Sequence, residues 1–104
     1  METNYATWRI QCRMALIRDG VWAIVNEEEF MPEFDEERAR ESEEAQRKFK
    51  IRYDKALSTI VLSVSPNLLY LLGEEPVDPV EVWNTLANQF QKRTWANKLS
   101  LKRK

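Results

Sequence analysis

Pro79-Val80-Glu81-Val82-Trp83-Asn84-Thr85-Leu86-Ala87-Asn88-Gln89-Phe90 is the stretch whose reading decides the fold. Asp78 before it is a good N-cap, Pro79 suits the first helical position, and Glu81 stands three residues after Asp78 as in a capping box. Val77 before the cap and Val82 inside the helix have the spacing of a hydrophobic staple. Trp83, Leu86, Ala87 and Phe90 then fall on one face at helical spacing. The pattern predicts a helix from Pro79 to about Lys92, with a second helix capped by Thr94 and carrying Trp95 and Leu99 on one face.

Working outward from there, helices account for most of the chain. Asn4 can cap a first helix that runs to about Asp19 and stops at Gly20. Tyr5, Trp8, Cys12, Ala15 and Leu16 line one side of it, and Ile10, Met14 and Ile17 line nearly the opposite side. A helix that is apolar on two sides must be covered on two sides, so the second stripe is either core or a contact with another molecule. Val21-Trp22-Ala23-Ile24-Val25 reads as a short helical or irregular segment under the core. Asn26 to Phe34 reads as an acidic loop broken by Pro32.

Asp35 can cap a long helix to about Val64. Glu36 and Glu37 suit its dipole, and Ala45, Phe49, Tyr53, Ala56, Ile60 and Val64 recur at spacings of three and four. The last turns, from Ala56, are apolar nearly all round, which predicts burial on every side. Ser65-Pro66 then opens a short helix to Leu72, closed by Gly73, whose leucines Leu68, Leu69, Leu71 and Leu72 predict a core plug. The fold class expected is all-α: a compact bundle of about five helices with short loops, forming one domain over residues 1–104, its C-terminal helix truncated and the natural protein continuing beyond Lys104.

Composition supports that class. Two Gly and four Pro in 104 residues are too few for a many-turned β-sandwich. A hydrophobic fraction of 43% with four Trp is enough for a core and too much for a disordered chain. A single cysteine, Cys12, cannot form an internal disulfide and suits a reducing, cytoplasmic setting. No signal peptide or membrane-length apolar run is present, so no membrane partner is expected.

The same residues narrow the chemistry. With no histidine, neither a Ser-His-Asp nor a Cys-His arrangement can be built, and one cysteine cannot make a zinc site. No glycine-rich phosphate loop occurs. The paired carboxylates, Glu27-Glu28-Glu29 and Glu36-Glu37, lie in solvated runs without the apolar setting that raises a carboxyl pKa. Neither an enzyme nor a cofactor is expected. Tyr5, Trp8, Trp22, Trp83, Leu86 and Phe90 are read as core.

Charge is unevenly placed: acids dominate from Glu27 to Glu44, and after Glu81 there are none. Lys98, Lys102, Arg103 and Lys104 at the basic end, with Arg9, Arg13 and Arg18 on the first helix, are candidate electrostatic or weak RNA contacts, for which binding would fall steeply with salt.

Four pieces of this sequence in register carry a family likeness: Asn4-Tyr5-Ala6-Thr7-Trp8; Val21-Trp22-Ala23-Ile24-Val25; Asp54-Lys55-Ala56-Leu57 with Ile60 and Leu62-Ser63; and Val82-Trp83-Asn84-Thr85-Leu86 with Phe90. Over nearly all of its length the chain resembles the N-terminal capsid region of Gag from copia-type long-terminal-repeat retrotransposons. The resemblance implies a helical structural domain that self-assembles into a particle around its own RNA. It departs from the family by stopping inside the fifth helix, without the rest of the capsid or any zinc knuckle.

On this reading the partner is another copy of the chain, in a dimer or higher homo-oligomer. Ile10, Met14 and Ile17 are the candidate contact stripe. Trp95 and Leu99 are candidates for cover by a neighbour through exchange of the last helix. The alternative is a capsid-like domain recruited by a host as a protein-binding adaptor or regulator.

Overall fold

The computed structural model describes the backbone of residues 5–102 and the side chains of residues 5–90. The chain is an all-α bundle. Helix α1 spans Tyr5–Arg18, α2 Trp22–Val25, α3 Ala39–Ser63 and α4 Pro79–Lys102. A 3-10 turn, Glu36–Arg38, leads directly into α3, and a 3-10 helix, Pro66–Leu72, links α3 to α4. No helix among the described residues is long and apolar enough to cross a membrane.

Each boundary has a local cause. Gly20 takes a left-handed φ of 72° after α1. Its N–H bonds the Ile17 carbonyl at 3.0 Å, and the Val21 N–H reaches back to Leu16 at 2.9 Å. That pair of bonds is a Schellman motif, and its hydrophobic partners Leu16 and Val21 are both fully buried. The turn therefore stops the helix and aims α2 into the core.

The end of α2 repeats the device without a glycine. Glu27 has φ 61°, its N–H bonds Ile24 at 3.3 Å, and the Glu28 N–H bonds Ala23 at 2.8 Å. A Cβ at a left-handed position costs about 1 kcal/mol. Nothing lies within 4 Å of a Cβ built at Gly20, so only its backbone conformation opposes substitution there. Gly20→Ala is therefore expected to destabilise by about 1 kcal/mol and Glu27→Gly to stabilise by about 0.5–1 kcal/mol. Urea melts of the two variants check both signs.

Asp35 caps the turn before α3 by accepting the Glu37 N–H at 3.0 Å. The Ser42 hydroxyl accepts from the Asp35 N–H at 3.0 Å and donates to its carbonyl at 3.3 Å, which satisfies this buried serine. Asp78 caps α4, accepting from Val80 N–H at 2.9 Å and Glu81 N–H at 3.4 Å. Pro79 is fully buried.

The core draws on every helix: Tyr5, Cys12 and Leu16 of α1; Val25 of α2; Ala56 and Ile60 of α3; Leu68; and Val82, Trp83, Leu86 and Phe90 of α4. Phe49, Ala56, Ile60 and Val64 are buried as their spacing predicts, with Ala45 and Tyr53 half-buried.

Four expectations need correction. α4 is one continuous helix to Lys102, without a break at Thr94. Between Pro79 and Lys102 no Gly or Pro interrupts it, and a threonine caps only where something else stops the preceding helix. Leu62 is 83% exposed, because two residues beyond Ile60 is the opposite side of a helix. The segment 66–72 is 3-10 rather than α. With three residues per turn, positions 68 and 71 share a side. Leu68 is accordingly buried and Leu71 half-buried; Leu72 also packs half-buried against the core as expected, while Tyr70 is 74% and Leu69 37% exposed. Val77, expected in a staple, is exposed. The Asn4 cap lies outside the described residues.

Candidate self-assembly surfaces

The two apolar sides of α1 have different fates. Tyr5, Cys12 and Leu16 face the core. Ile10, Met14 and Ile17 are 61%, 50% and 45% exposed. On a helix these three lie within about one-sixth of a turn of each other, opposite the buried side. The core option for this stripe is thereby removed, and a row of apolar side chains is left facing solvent along the length of α1.

Behind the stripe α1 is held rigidly by aromatic packing. Tyr5 stacks on Phe90 at 5.2 Å and lies 5.7 Å from Trp8. Trp83 sits between Trp8 at 5.7 Å and Trp22, which meets it edge-on at 5.3 Å. Tyr5, Trp83, Leu86 and Phe90 are buried, while Trp8 and Trp22 are half-buried against the same cluster. The Trp8 indole N–H donates to the Ser63 hydroxyl at 3.0 Å, which in turn donates to the Ile60 carbonyl. Cys12 Sγ lies 3.7 Å from that hydroxyl. Burial pushes the Cys12 thiol pKa up, which makes it a packing group rather than a nucleophile.

Two of the α1 arginines lie against the same cluster. Arg9 lies over the Trp83 ring at 5.9 Å and Arg13 over Trp22 at 5.5 Å, both within cation–π range. Arg18 pairs with Asp19 at 3.5 Å. Arg9 and Arg13 thus lie over tryptophan rings, while Arg18 is largely exposed. The side chains of Trp95, Leu99, Lys98 and Lys102, and all of Arg103 and Lys104, lie outside the described residues.

A second surface was not foreseen from the sequence. The loop after α2, the middle of α3 and the start of α4 enclose an open groove of about 480 Å³, with Ile24, Phe49 and Val80 in its walls. Phe30, 69% exposed, and Met31, 47% exposed, stand at its edge. Phe49 and Tyr53 pack at 6.0 Å along one side.

The loop forming this edge is tied down by Arg52. Its guanidinium forks onto both carboxylate oxygens of Glu29, one of them at 2.8 Å, and donates to the Gly20 carbonyl at 2.7 Å. Gln46 donates to the Pro32 carbonyl at 2.9 Å. The partners of these bonds are 14 to 32 residues apart, so no local spacing rule finds them. The hydrogen bond from Arg52 is the largest influence on the Glu29 carboxyl and holds it below its ordinary value of 4.5; burial opposes it, and the charge of Arg52 adds a smaller pull downward.

Glu29 is charged at lower pH when folded than when unfolded. The clamp's stabilisation is therefore present above the ordinary carboxylate range and is lost as pH falls through the lowered value. Both side chains are more than a third exposed, so the whole effect is about 1 kcal/mol or less. Arg52→Ala is expected to lower stability by about that amount at neutral pH, with the gap to wild type closing on acidification. Chemical denaturation at neutral and acid pH checks this.

No protein-family model, curated protein or solved structure matches the chain.

Proposed function

We propose that this chain is a structural domain of the Gag-capsid kind, whose role is to bind further copies of itself through α1. One observation carries the reading: Ile10, Met14 and Ile17 form a continuous exposed apolar row on a helix whose other side is anchored in the core. Single exposed hydrophobes are ordinary, but three in line on a rigid helix are the signature of a contact. The simplest closed form is a two-fold pairing of α1 on α1, in which the same stripe serves both copies. The sequence likeness to copia-type capsid regions supports the same reading and adds a particle as the end product.

Light scattering of the wild type, Met14→Glu and Ile17→Glu over a wide concentration range tests it. The wild type gains mass with concentration, and the two variants gain markedly less at the same concentrations. A monomer in all three cases ends the reading.

A further inference from the structure

The groove between the 27–31 loop, α3 and the start of α4 calls for a different occupant from the α1 stripe. Its walls are apolar, but its rim is acidic: Glu27 and Asp78 line it, Glu29 is already paired with Arg52, and Lys50 is the one basic lining residue. The loop that forms the edge belongs to the acid-rich run from Glu27 to Glu44. The Tyr53 hydroxyl reports the same field. Its pKa is raised first by burial and then by the negative charges of Asp78, Asp54 and Glu81 and the bond to Asp78. An apolar cleft with a negative rim suits a helix whose apolar anchors are flanked by basic residues.

The chain carries such a helix. From Lys92 to Lys102, α4 contains four basic residues and no acid; Trp95 and Leu99 have the four-residue spacing that shares a helix face, and Lys92, Lys98 and Lys102, at spacings of three and seven from Trp95, flank that face in the sequence pattern. The chain cannot dock this helix into its own groove. The groove lies at the start of α4, and an unbroken helix places Trp95 about 24 Å and Leu99 about 30 Å further along its axis.

We propose that the groove receives the last turns of α4, residues 92–102, from a second copy of the chain, giving a head-to-tail contact. This rests on the self-assembly reading above and adds a second interface to it. A two-fold contact through α1 alone closes at a dimer. A heterologous contact between two different surfaces propagates, and the two together build an extended array.

The test isolates the new contact by placing Met14→Glu in every sample. In that background the protein is expected to self-associate with rising concentration in sedimentation velocity, more weakly at high salt. Phe30→Asp with Met31→Asp in the groove, or Trp95→Ala with Leu99→Asp in the helix, is expected to raise the Kd at least about tenfold. Both groove positions are exposed, and circular dichroism confirms that each variant is folded. Mixing the two variants pairs one intact groove with one intact helix and is expected to restore a 1:1 dimer that grows no further.

A mixture that stays monomeric overturns the proposal, as does a parent that is monomeric throughout. Loss of association in the helix variant but not in the groove variant also overturns it, since the helix then engages elsewhere, as in helix exchange. Failure of the α1 contact reads out separately, as equal association of wild type and Met14→Glu.

Discussion

Trp83→Ala is expected to cost about 3–5 kcal/mol, the range for deleting a large buried aromatic. Trp83 is 6% exposed and is the point at which α1, α2 and α4 meet, through Trp8, Trp22 and the Arg9 guanidinium. Its removal forfeits the burial of its own surface, two ring–ring contacts of about 0.5–1.5 kcal/mol each, and the seat of a cation whose Nε is already buried without a partner. Domains of this size have only about 5–15 kcal/mol in total. At about 4–8 °C per kcal/mol, the melting temperature falls by more than about 12 °C. Trp83→Phe keeps a ring in place and loses less. A Trp8→Phe control loses the Ser63 hydrogen bond, worth about 1 kcal/mol. Thermal melts followed by circular dichroism rank the three; a Trp83→Ala melt within a few degrees of wild type contradicts this account of the core.

The second large effect is on association rather than stability. Each of Ile10, Met14 and Ile17 keeps about half of its surface in water, so covering it gains about 1 kcal/mol per side chain. Six such side chains meet across a two-fold axis, for a gross gain of about 6 kcal/mol before the rest of the contact is added. The association cost is about 4–15 kcal/mol, so these six side chains leave little or no net gain by themselves and the isolated contact is weak.

Met14→Glu places a carboxylate and its symmetry mate face to face in the seam. Burying two unpaired like charges costs several kcal/mol and is expected to weaken pairing by more than about 100-fold. The same side chain is half in solvent in the single subunit, so its melting temperature moves by only a degree or two. Loss of association together with a large loss of stability would mean that Met14 belongs to the core.

Much of the bundle was legible in the sequence because its signals are local. Gly20 marks the end of α1, Asp78-Pro79 marks the start of α4, and the three-and-four spacing from Phe49 to Val64 marks the inner side of α3. The misreadings came from stopping at composition. The Leu-rich run from Leu68 to Leu72 looked wholly buried until the 3-10 period separated its sides, and Leu62 was grouped with neighbours that point the other way. The left-handed Glu27 could not be read, since the residue that marks such positions is glycine.

The candidate surfaces divide along the same line. The α1 stripe is a helix-period pattern, so its residues could be named from spacing alone, and only its exposure needed the fold. The groove is assembled from a loop and two helices joined by Arg52, Glu29 and Gly20. No spacing rule brings residues so far apart in the chain together.

Chemical cross-linking at the stripe tests the central claim most directly. If two α1 helices pair about a two-fold axis, Met14, midway between Ile10 and Ile17, lies nearest that axis and meets its own counterpart. Met14→Cys is therefore expected to form an interchain disulfide quickly under mild oxidation. Leu62→Cys, on an exposed position of α3, is not, and the native Cys12, 4% exposed, contributes no background. Rapid and selective cross-linking through position 14 is the result predicted. Equal cross-linking at positions 14 and 62, or none at 14 at concentrations where the protein associates, would contradict it.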